Sequence, residues 1–307
     1  MRGRRGAVRA LAGIPHVLPA AAVAVAALAA LEPSMWLATH SDLLLAALVL
    51  ASGLGIGAAE LGRVRANLPA VAALSLAPMP LIGACAWVIG RPFSAPVRDG
   101  LLAVGLASSE VAAVGLVAIA RADAAVTLGV VVGSLIAAAV LGPVAVSALG
   151  AGAGVHVASL LGRFGLVVIA PMAAGLALRS RPRVARTLEA LDEQREGVAA
   201  LVVLALVYAA LSGARGGHGL LSAALASAAL LASCGMLALL WYRSASPHLA
   251  IPGAMAIGLR DFAVGAVLAA QAFGPAAATV PGVYGVLMLI AGAATAGRLR
   301  RRADVGG

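Results

Sequence analysis

The sequence predicts an all-α integral membrane protein, because its composition, its apolar runs and its distribution of charge all indicate this class. The 307 residues are 62% hydrophobic and 11% charged, and the mean hydropathy is +1.04. Soluble domains carry roughly 25% charged residues. Apolar runs of about 17 to 25 residues, each long enough for a helix to cross a bilayer, follow one another along the chain. We therefore expect one membrane domain of about ten transmembrane helices.

The placement of arginine predicts the orientation of these helices. All 22 basic residues are Arg, the net charge is +10, and most of the arginines lie in the termini and in every second loop. Because cytoplasmic loops of membrane proteins are enriched in basic residues, we expect both termini on the cytoplasmic side of a bacterial-type inner membrane. Arginines next to anionic lipid headgroups account for the charge, so no nucleic acid is expected as a partner.

The first half of the chain, residues 1–152, is predicted to contain five helices. An Arg-rich start followed by an apolar run is also typical of a signal peptide, but further apolar helices follow it, so we interpret it as a first membrane helix. The five predicted helices are Ile14–Leu31, Leu43–Glu60, Leu68–Ile89, Leu101–Ala120 and Ala124–Leu149. Glycines in the second helix permit close helix packing, and Pro78 and Pro80 should bend the third.

The second half, residues 153–307, is also predicted to contain five helices. They are Val157–Leu178, Val198–Leu211, Leu220–Trp241, Ile251–Ala270 and Pro275–Ala296. The charged stretch 179–197 is predicted to be a cytoplasmic loop with a short surface helix.

Two of the ten helices carry charged residues near their middle. The fourth contains Ser108, Ser109 and Glu110, and the ninth contains Arg260 and Asp261. Each charge would cost several kcal/mol against hydrocarbon, roughly 2.5 to 3.5 on insertion scales, so these groups must face one another, a protein interior or water. Glycines interrupt both segments, and interrupted helices with charged groups are typical of transport sites.

A weak internal similarity relates the two halves. AAVTLGVVVG at residues 124–133 resembles AAATVPGVYG at residues 276–285, at an offset of 152. The same offset lays Ser109 over Asp261. Because each half has an odd number of helices, two equivalent halves must be inverted relative to one another. We therefore expect two inverted five-helix repeats whose interrupted helices cross at the membrane midplane.

Three roles are open for Glu110. It could form a structural ion pair with Arg260, it could carry a proton because burial favours the neutral carboxyl group, or it could face solvent. Asp261 is the better candidate for a proton carrier, since one Arg cannot compensate two carboxylates. We expect Glu110 and Arg260 to lie within salt-bridge distance, which leaves Asp261 to titrate.

The other polar side chains also have alternative roles. Arg260 could hold an anionic solute through its planar guanidinium group. Ser108 and Ser109 could line a cavity, or could bond to the backbone of their own helix. Gln271 could line the pathway or lie at the membrane interface.

Four stretches of the chain carry a resemblance to a known family. They are SGLGIGAAELGRV (52–64), APMPLIG (77–83), IARADAAVTLGVVVGSLIAAAVLGP (119–143) and FGPAAATVPGVYGVLMLIAGA (273–293). Together they resemble the bile acid:sodium symporter family over about residues 43–292. The resemblance implies a ten-helix inverted-repeat transporter fold, related to arsenite efflux permeases and sodium–proton antiporters.

The chain departs from this family where the family binds sodium. The Ser-Asn pair of the family's fourth helix falls on Ala113 and Val114, the Glu that bridges its two sodium sites falls on Ala256, and a Gln of its third helix falls on Ser75. Hard cations need several oxygen ligands, and methyl groups supply none. The resemblance therefore implies the fold without the usual sodium coupling.

The sequence thus predicts a secondary transporter of a small organic anion or similar solute, either proton-coupled or uncoupled. The alternatives are a non-transporting sensor or degenerate scaffold of the same fold, and an arsenite-type efflux permease. No nucleophile–base pair or metal cluster is recognisable, so we expect no enzyme, no metal and no cofactor. The expected partners are the solute, protons and the lipid bilayer. The predicted binding residues are Ser108, Ser109, Glu110, Arg260 and Asp261.

Overall fold

The computed structural model describes residues 18–120, 122–149, 156–212 and 219–305, and these residues form helices joined by short connections. Within these ranges the β-structure is limited to an isolated antiparallel bridge between Ser109 and Arg260. The protein is therefore an all-α membrane protein, as predicted. The predicted repeat boundary at residue 152 and the first residues of the predicted first helix lie outside the described residues.

The described residues before position 150 form nine helices, α1 to α9. In chain order they are Leu18–Leu31, Met35–Thr39, Ser41–Leu54, Ala58–Ala66, Leu68–Leu76, Pro78–Gly90, Ala95–Leu106, Ala112–Ile119 and Ala124–Leu149. The two prolines of the predicted third helix divide it into α5 and α6, with Pro78 opening α6. Helix α9 has the predicted bounds, and Asp123 caps it by accepting hydrogen bonds from the amides of Ala125 at 2.9 Å and Val126 at 3.4 Å.

From residue 156 onward, the part of the chain that the structure describes forms eight helices, α10 to α17. They are Val157–Phe164, Ala170–Arg179, Pro182–Glu189, Asp192–Ser212, Leu220–Ser244, Pro247–Gly258, Phe262–Phe273 and Thr279–Val305. A π-helical turn, Gly165–Ile169, joins α10 to α11. The short helix predicted in the charged stretch 179–197 is α12.

Within the described ranges, four helical stretches are long and apolar enough to cross a membrane, by length and composition. They are Leu68–Gly90, Ala124–Leu149, Val157–Arg179 and Leu220–Ser244, and shorter apolar helices accompany them. Large apolar side chains lie exposed on the outside of the bundle, among them Leu31 at 80%, Leu166 at 72% and Leu221 at 75%. Such exposure is unfavourable in water and suits a lipid surface.

Several predicted helix boundaries were wrong. Helix α7 begins at Ala95 rather than Leu101, and α15 begins at Pro247 rather than Ile251, because a proline favours the first turn of each helix. The second helix ends at Leu54, because Gly55 and Gly57 weaken the helix at this point, and α4 is a separate element. Helix α13 begins at Asp192 rather than Val198, since the polar residues before the apolar run favour helix. Helix α17 covers Thr279–Val305 rather than Pro275–Ala296.

Helices α3 and α11 pack with their backbones in contact through two glycines. A Cβ atom added to Gly53 would lie 3.2 Å from the Cα atom of Gly175, and one added to Gly175 would lie 2.9 Å from the Cα atom of Gly53. Small residues allow such close approach between membrane helices. The predicted role of the glycines in the second helix is confirmed at Gly53.

Replacing Gly175 with Ala is expected to destabilise the protein. The added methyl group would meet backbone atoms of α3, which cannot move aside as a side chain does, and overpacking of this kind costs about 1 to 3 kcal/mol. Thermal unfolding in detergent measures the effect. The matched control is Gly235→Ala in α14, where a Cβ atom meets nothing within 4 Å, and which should be neutral or stabilising. Equal unfolding temperatures of the Gly175→Ala and Gly235→Ala variants would contradict the close packing of α3 and α11.

Candidate functional site

Both helices that were predicted to carry the site are interrupted at their charged residues. Helix α7 ends at Leu106 and α8 begins at Ala112, while α15 ends at Gly258 and α16 begins at Phe262. The intervening segments are 107–111, which ends in a turn at Val111, and 259–261, and the backbone is extended where Ser109 and Arg260 pair. Short polar side chains bond to nearby backbone and compete with helix, so the serines favour the break in the first segment. The predicted interruption is confirmed.

The two extended segments pair with each other through their backbones. The Glu110 amide donates to the Leu259 carbonyl at 3.0 Å, and the Asp261 amide donates to the Ser108 carbonyl at 2.8 Å. Backbone groups released by a break in a helix must find partners when no water is near. The pairing supplies these partners, and it fixes the crossing of the two broken helices.

The extended pairing separates the charged side chains onto two faces. Side chains alternate between the two faces of an extended segment, and directly opposite residues share a face. Ser109 lies directly opposite Arg260, so these two residues share one face, which we call the basic face. Glu110 and Asp261 are on the other, acidic face, together with Ser108, whose hydroxyl donates to Asp261 Oδ2 at 3.4 Å.

The predicted ion pair between Glu110 and Arg260 does not form. The nitrogen atoms of Arg260 have no carboxylate oxygen of Glu110 or Asp261 within 4.0 Å, whereas Arg98 and Asp99 form an ion pair at 3.1 Å. Arg260 instead donates from Nη2 to the carbonyl of Ala107. This carbonyl follows the C-terminus of α7, where the negative end of a helix dipole attracts a cation. The prediction failed because it treated both segments as helices, whereas extended backbone turns Glu110 and Arg260 to opposite faces.

Each acid caps the half-helix that follows it. Asp261 Oδ1 accepts hydrogen bonds from the amides of Ala263 at 2.9 Å and Val264 at 3.0 Å, at the start of α16. Glu110 Oε1 accepts one from the Ala112 amide at 3.3 Å, at the start of α8. Carboxylates at helix N-termini are stabilised by the free amides and the helix dipole. The N-termini of α16 and α8 therefore stabilise Asp261 and Glu110, and Arg260 does not.

The crossing contains two acids, Glu110 and Asp261, and one base, Arg260, among the residues of the two paired segments. The helices before the two breaks, Ala95–Leu106 and Pro247–Gly258, have equal lengths and begin 152 positions apart, in agreement with the predicted offset of 152. The relation between the two halves stays a prediction.

The site is closed to solvent in this conformation. Glu110 and Asp261 are each 2% exposed, Ser108 and Arg260 are 1% exposed, and Ser109 is 0% exposed. Three polar atoms of these residues have no hydrogen-bond partner, namely Glu110 Oε2, Ser109 Oγ and Arg260 Nε. A cavity of about 210 Å³ lies elsewhere, lined by apolar residues of α1, α13, α14 and α17.

Sequence reasoning missed two neighbours of Arg260. Its electrostatic neighbours are Cys234 in α14, Tyr284 in α17 and Asp261. Neither Cys234 nor Tyr284 is among the binding residues predicted from the sequence. A single Tyr within the apolar run of the last helix is the signal that could have identified it, because a buried phenol needs a partner.

The remaining candidates lie apart from the crossing or lack ligand atoms. Gln271 donates to both carboxylate oxygens of Asp42 at 2.9 and 3.0 Å, which links α16 to the start of α3. Ser75 donates to the Val71 carbonyl of its own helix at 2.7 Å. Among the residues that the structure describes, no group of three or more His, Cys, Asp or Glu side chains could hold a metal ion.

Two broken membrane helices that pair at their breaks around buried charges define a membrane transporter fold. The chain belongs to the SBF-like CPA transporter family, whose profile matches residues 15–299. This family is bile acid:sodium symporter-like, so the resemblance seen in the sequence is confirmed. No curated protein matches the chain.

Proposed function

We propose that the protein is a secondary transporter that moves a small organic anion together with a proton and does not use sodium. The observation that carries the proposal is the separation of charge at the crossing. Glu110 and Asp261 share the acidic face without an ion pair to Arg260. A buried acid that lacks a basic partner is the kind of group that binds and releases protons in membrane transporters.

The balance of charged groups in the site favours coupling of anion transport to protons. Net charge is unfavourable in a buried site, and the site contains two acids and Arg260. A site with one ionised and one protonated acid is neutral in the absence of solute. If a monovalent anion binds near Arg260, the site regains neutrality when the second acid also takes a proton. This arrangement supports electroneutral movement of one proton with each monovalent anion.

The proposal includes ten membrane crossings in two inverted repeats, with both termini cytoplasmic in a bacterial-type inner membrane. The crossings are α1, α3, α5 with α6, α7 with α8, α9, α10 with α11, α13, α14, α15 with α16, and α17. The two interrupted crossings are the fourth and the ninth. The equal lengths of α7 and α15, which begin 152 positions apart, support this relation, as does the basic residue pattern of the loops.

Uptake into proteoliposomes tests the function. Labelled organic acids are supplied under an inward proton gradient, with the membrane potential clamped by potassium and valinomycin. We expect accumulation that follows the pH gradient, does not change with the membrane potential and needs no sodium. Uptake that ignores the pH gradient indicates an uncoupled carrier, arsenite movement indicates a permease, and no movement of any solute indicates a sensor or scaffold. Each of these results contradicts the proposal.

Sodium is not expected to stabilise the folded protein. A ligand that binds only the native state raises stability by RT ln(1 + [L]/Kd). Ala113 and Ala256 occupy positions where the family has sodium ligands, and both are buried apolar residues at 0% and 1% exposure. Thermal unfolding in detergent, with sodium exchanged for choline at constant ionic strength, measures this. A saturable rise in the unfolding temperature with sodium would contradict the expectation.

A further inference from the structure

The basic face carries three buried hydrogen-bond donors that have no partner. They are Arg260 Nε, the Ser109 hydroxyl and the Tyr284 hydroxyl. Their residues are 1%, 0% and 0% exposed, in that order. A buried polar group without a partner costs about 1 to 3 kcal/mol, so three on one face of the crossing are an unusual concentration of unsatisfied groups.

These donors come from three different elements that meet at the crossing. Ser109 and Arg260 are opposite each other in the paired segments. Tyr284 reaches the same place from α17, where its hydroxyl approaches the Arg260 backbone and the Cys234 thiol without completing a hydrogen bond to either. Nη2 of Arg260 is held by the Ala107 carbonyl, which fixes the guanidinium group and leaves Nε free.

The chemistry of this set fits an oxyanion. One positively charged N–H group and two hydroxyls all donate, and a carboxylate accepts several hydrogen bonds at once. The acidic face contains the complementary group, since the unpartnered atom there is Glu110 Oε2, an acceptor. A cation would bind at the acidic face and an anion at the basic face.

We propose that Ser109, Arg260 and Tyr284 form the subsite that binds the carboxylate of the transported anion, on the face of the crossing opposite to the proton-binding acids. This inference rests on the proposed function and names its substrate-binding residues. The paired backbone segments separate the bound carboxylate from Asp261 and Glu110. The bound anion and an ionised acid repel each other across the paired segments. Protonation of the acid removes this repulsion and therefore strengthens anion binding.

Anion binding to the purified protein tests the subsite without transport. Thermal unfolding in detergent is followed against the choline salts of acetate, pyruvate, succinate and benzoate at constant ionic strength. We expect at least one of these carboxylates to stabilise the protein saturably, and more strongly as the pH falls. Tyr284→Phe, which keeps the aromatic ring, should weaken that binding about tenfold or more, because it removes a hydrogen bond to a charged group. Ser109→Ala should act in the same direction.

The matched control is Thr127→Val, which removes another buried and unpartnered hydroxyl, on α9, and should leave binding unchanged. Asp261→Asn should bind the carboxylate at least as tightly as the parent protein, since Asp261 lies on the other face. The inference is overturned if none of the four carboxylates binds, or if Tyr284→Phe binds like Thr127→Val. If binding follows the expected pattern and uptake ignores the pH gradient, the subsite stands and the proposed coupling fails.

Discussion

Replacing Asp261 with Asn is expected to abolish uptake driven by a pH gradient while folding and solute binding are preserved. Asn has the same shape and is an equally good helix cap, so it can still accept the amide hydrogen bonds of Ala263 and Val264. In the proposed count, Glu110 stays protonated and Asp261 is the acid that takes up a proton together with the anion. Asn cannot change charge, so uptake by the variant should become independent of the pH gradient. Uptake into proteoliposomes at several gradients measures this.

A second acid of the same chain provides the control. Asp123 caps α9 through the amides of Ala125 and Val126, as Asp261 caps α16, but it lies in a turn away from the crossing. Asp123→Asn should leave the pH dependence of uptake unchanged. If Asp261→Asn also keeps that dependence, Asp261 is a structural cap and the proton-carrier role is wrong.

Replacing Arg260 with Gln is expected to destabilise the protein and to abolish anion uptake. The change removes the positive charge that balances the ionised acid of this buried site, and a buried charge left without compensation costs about 3 to 5 kcal/mol. It also removes the charge that would bind the solute. Unfolding in mixed micelles with increasing dodecyl sulfate measures the stability, and proteoliposome uptake measures the activity.

The double variant Arg260→Gln with Asp261→Asn separates charge balance from packing. It removes one positive and one negative charge, so the net charge of the site does not change. We expect it to be more stable than Arg260→Gln alone, because residues that share a charged site are coupled and their effects do not add. Equal destabilisation of both variants would show that Arg260 acts through its contact with Ala107 and not through its charge.

The sequence alone determined the class of protein and the location of most helices. An apolar run of helix length has few alternatives in a bilayer, so bounds such as Ala124–Leu149 could be predicted. The two breaks could also be predicted, because charged residues within an apolar run are too costly to be left in an uninterrupted lipid-facing helix. The substituted family positions Ala113 and Ala256 were equally visible in the sequence.

Only the tertiary structure decided which charged groups face each other. Depth along a helix follows from counting residues, so Glu110 and Arg260 could be placed at a similar depth. The face on which each side chain lies depends on which residues leave the helix and pair with a segment about 150 positions away. In extended backbone, a shift of the pairing by one residue moves every side chain to the opposite face. The pairing of Ser109 with Arg260 put the base on one face and both acids on the other. The same long-range packing brought Tyr284 to Arg260, and no local pattern records such a contact.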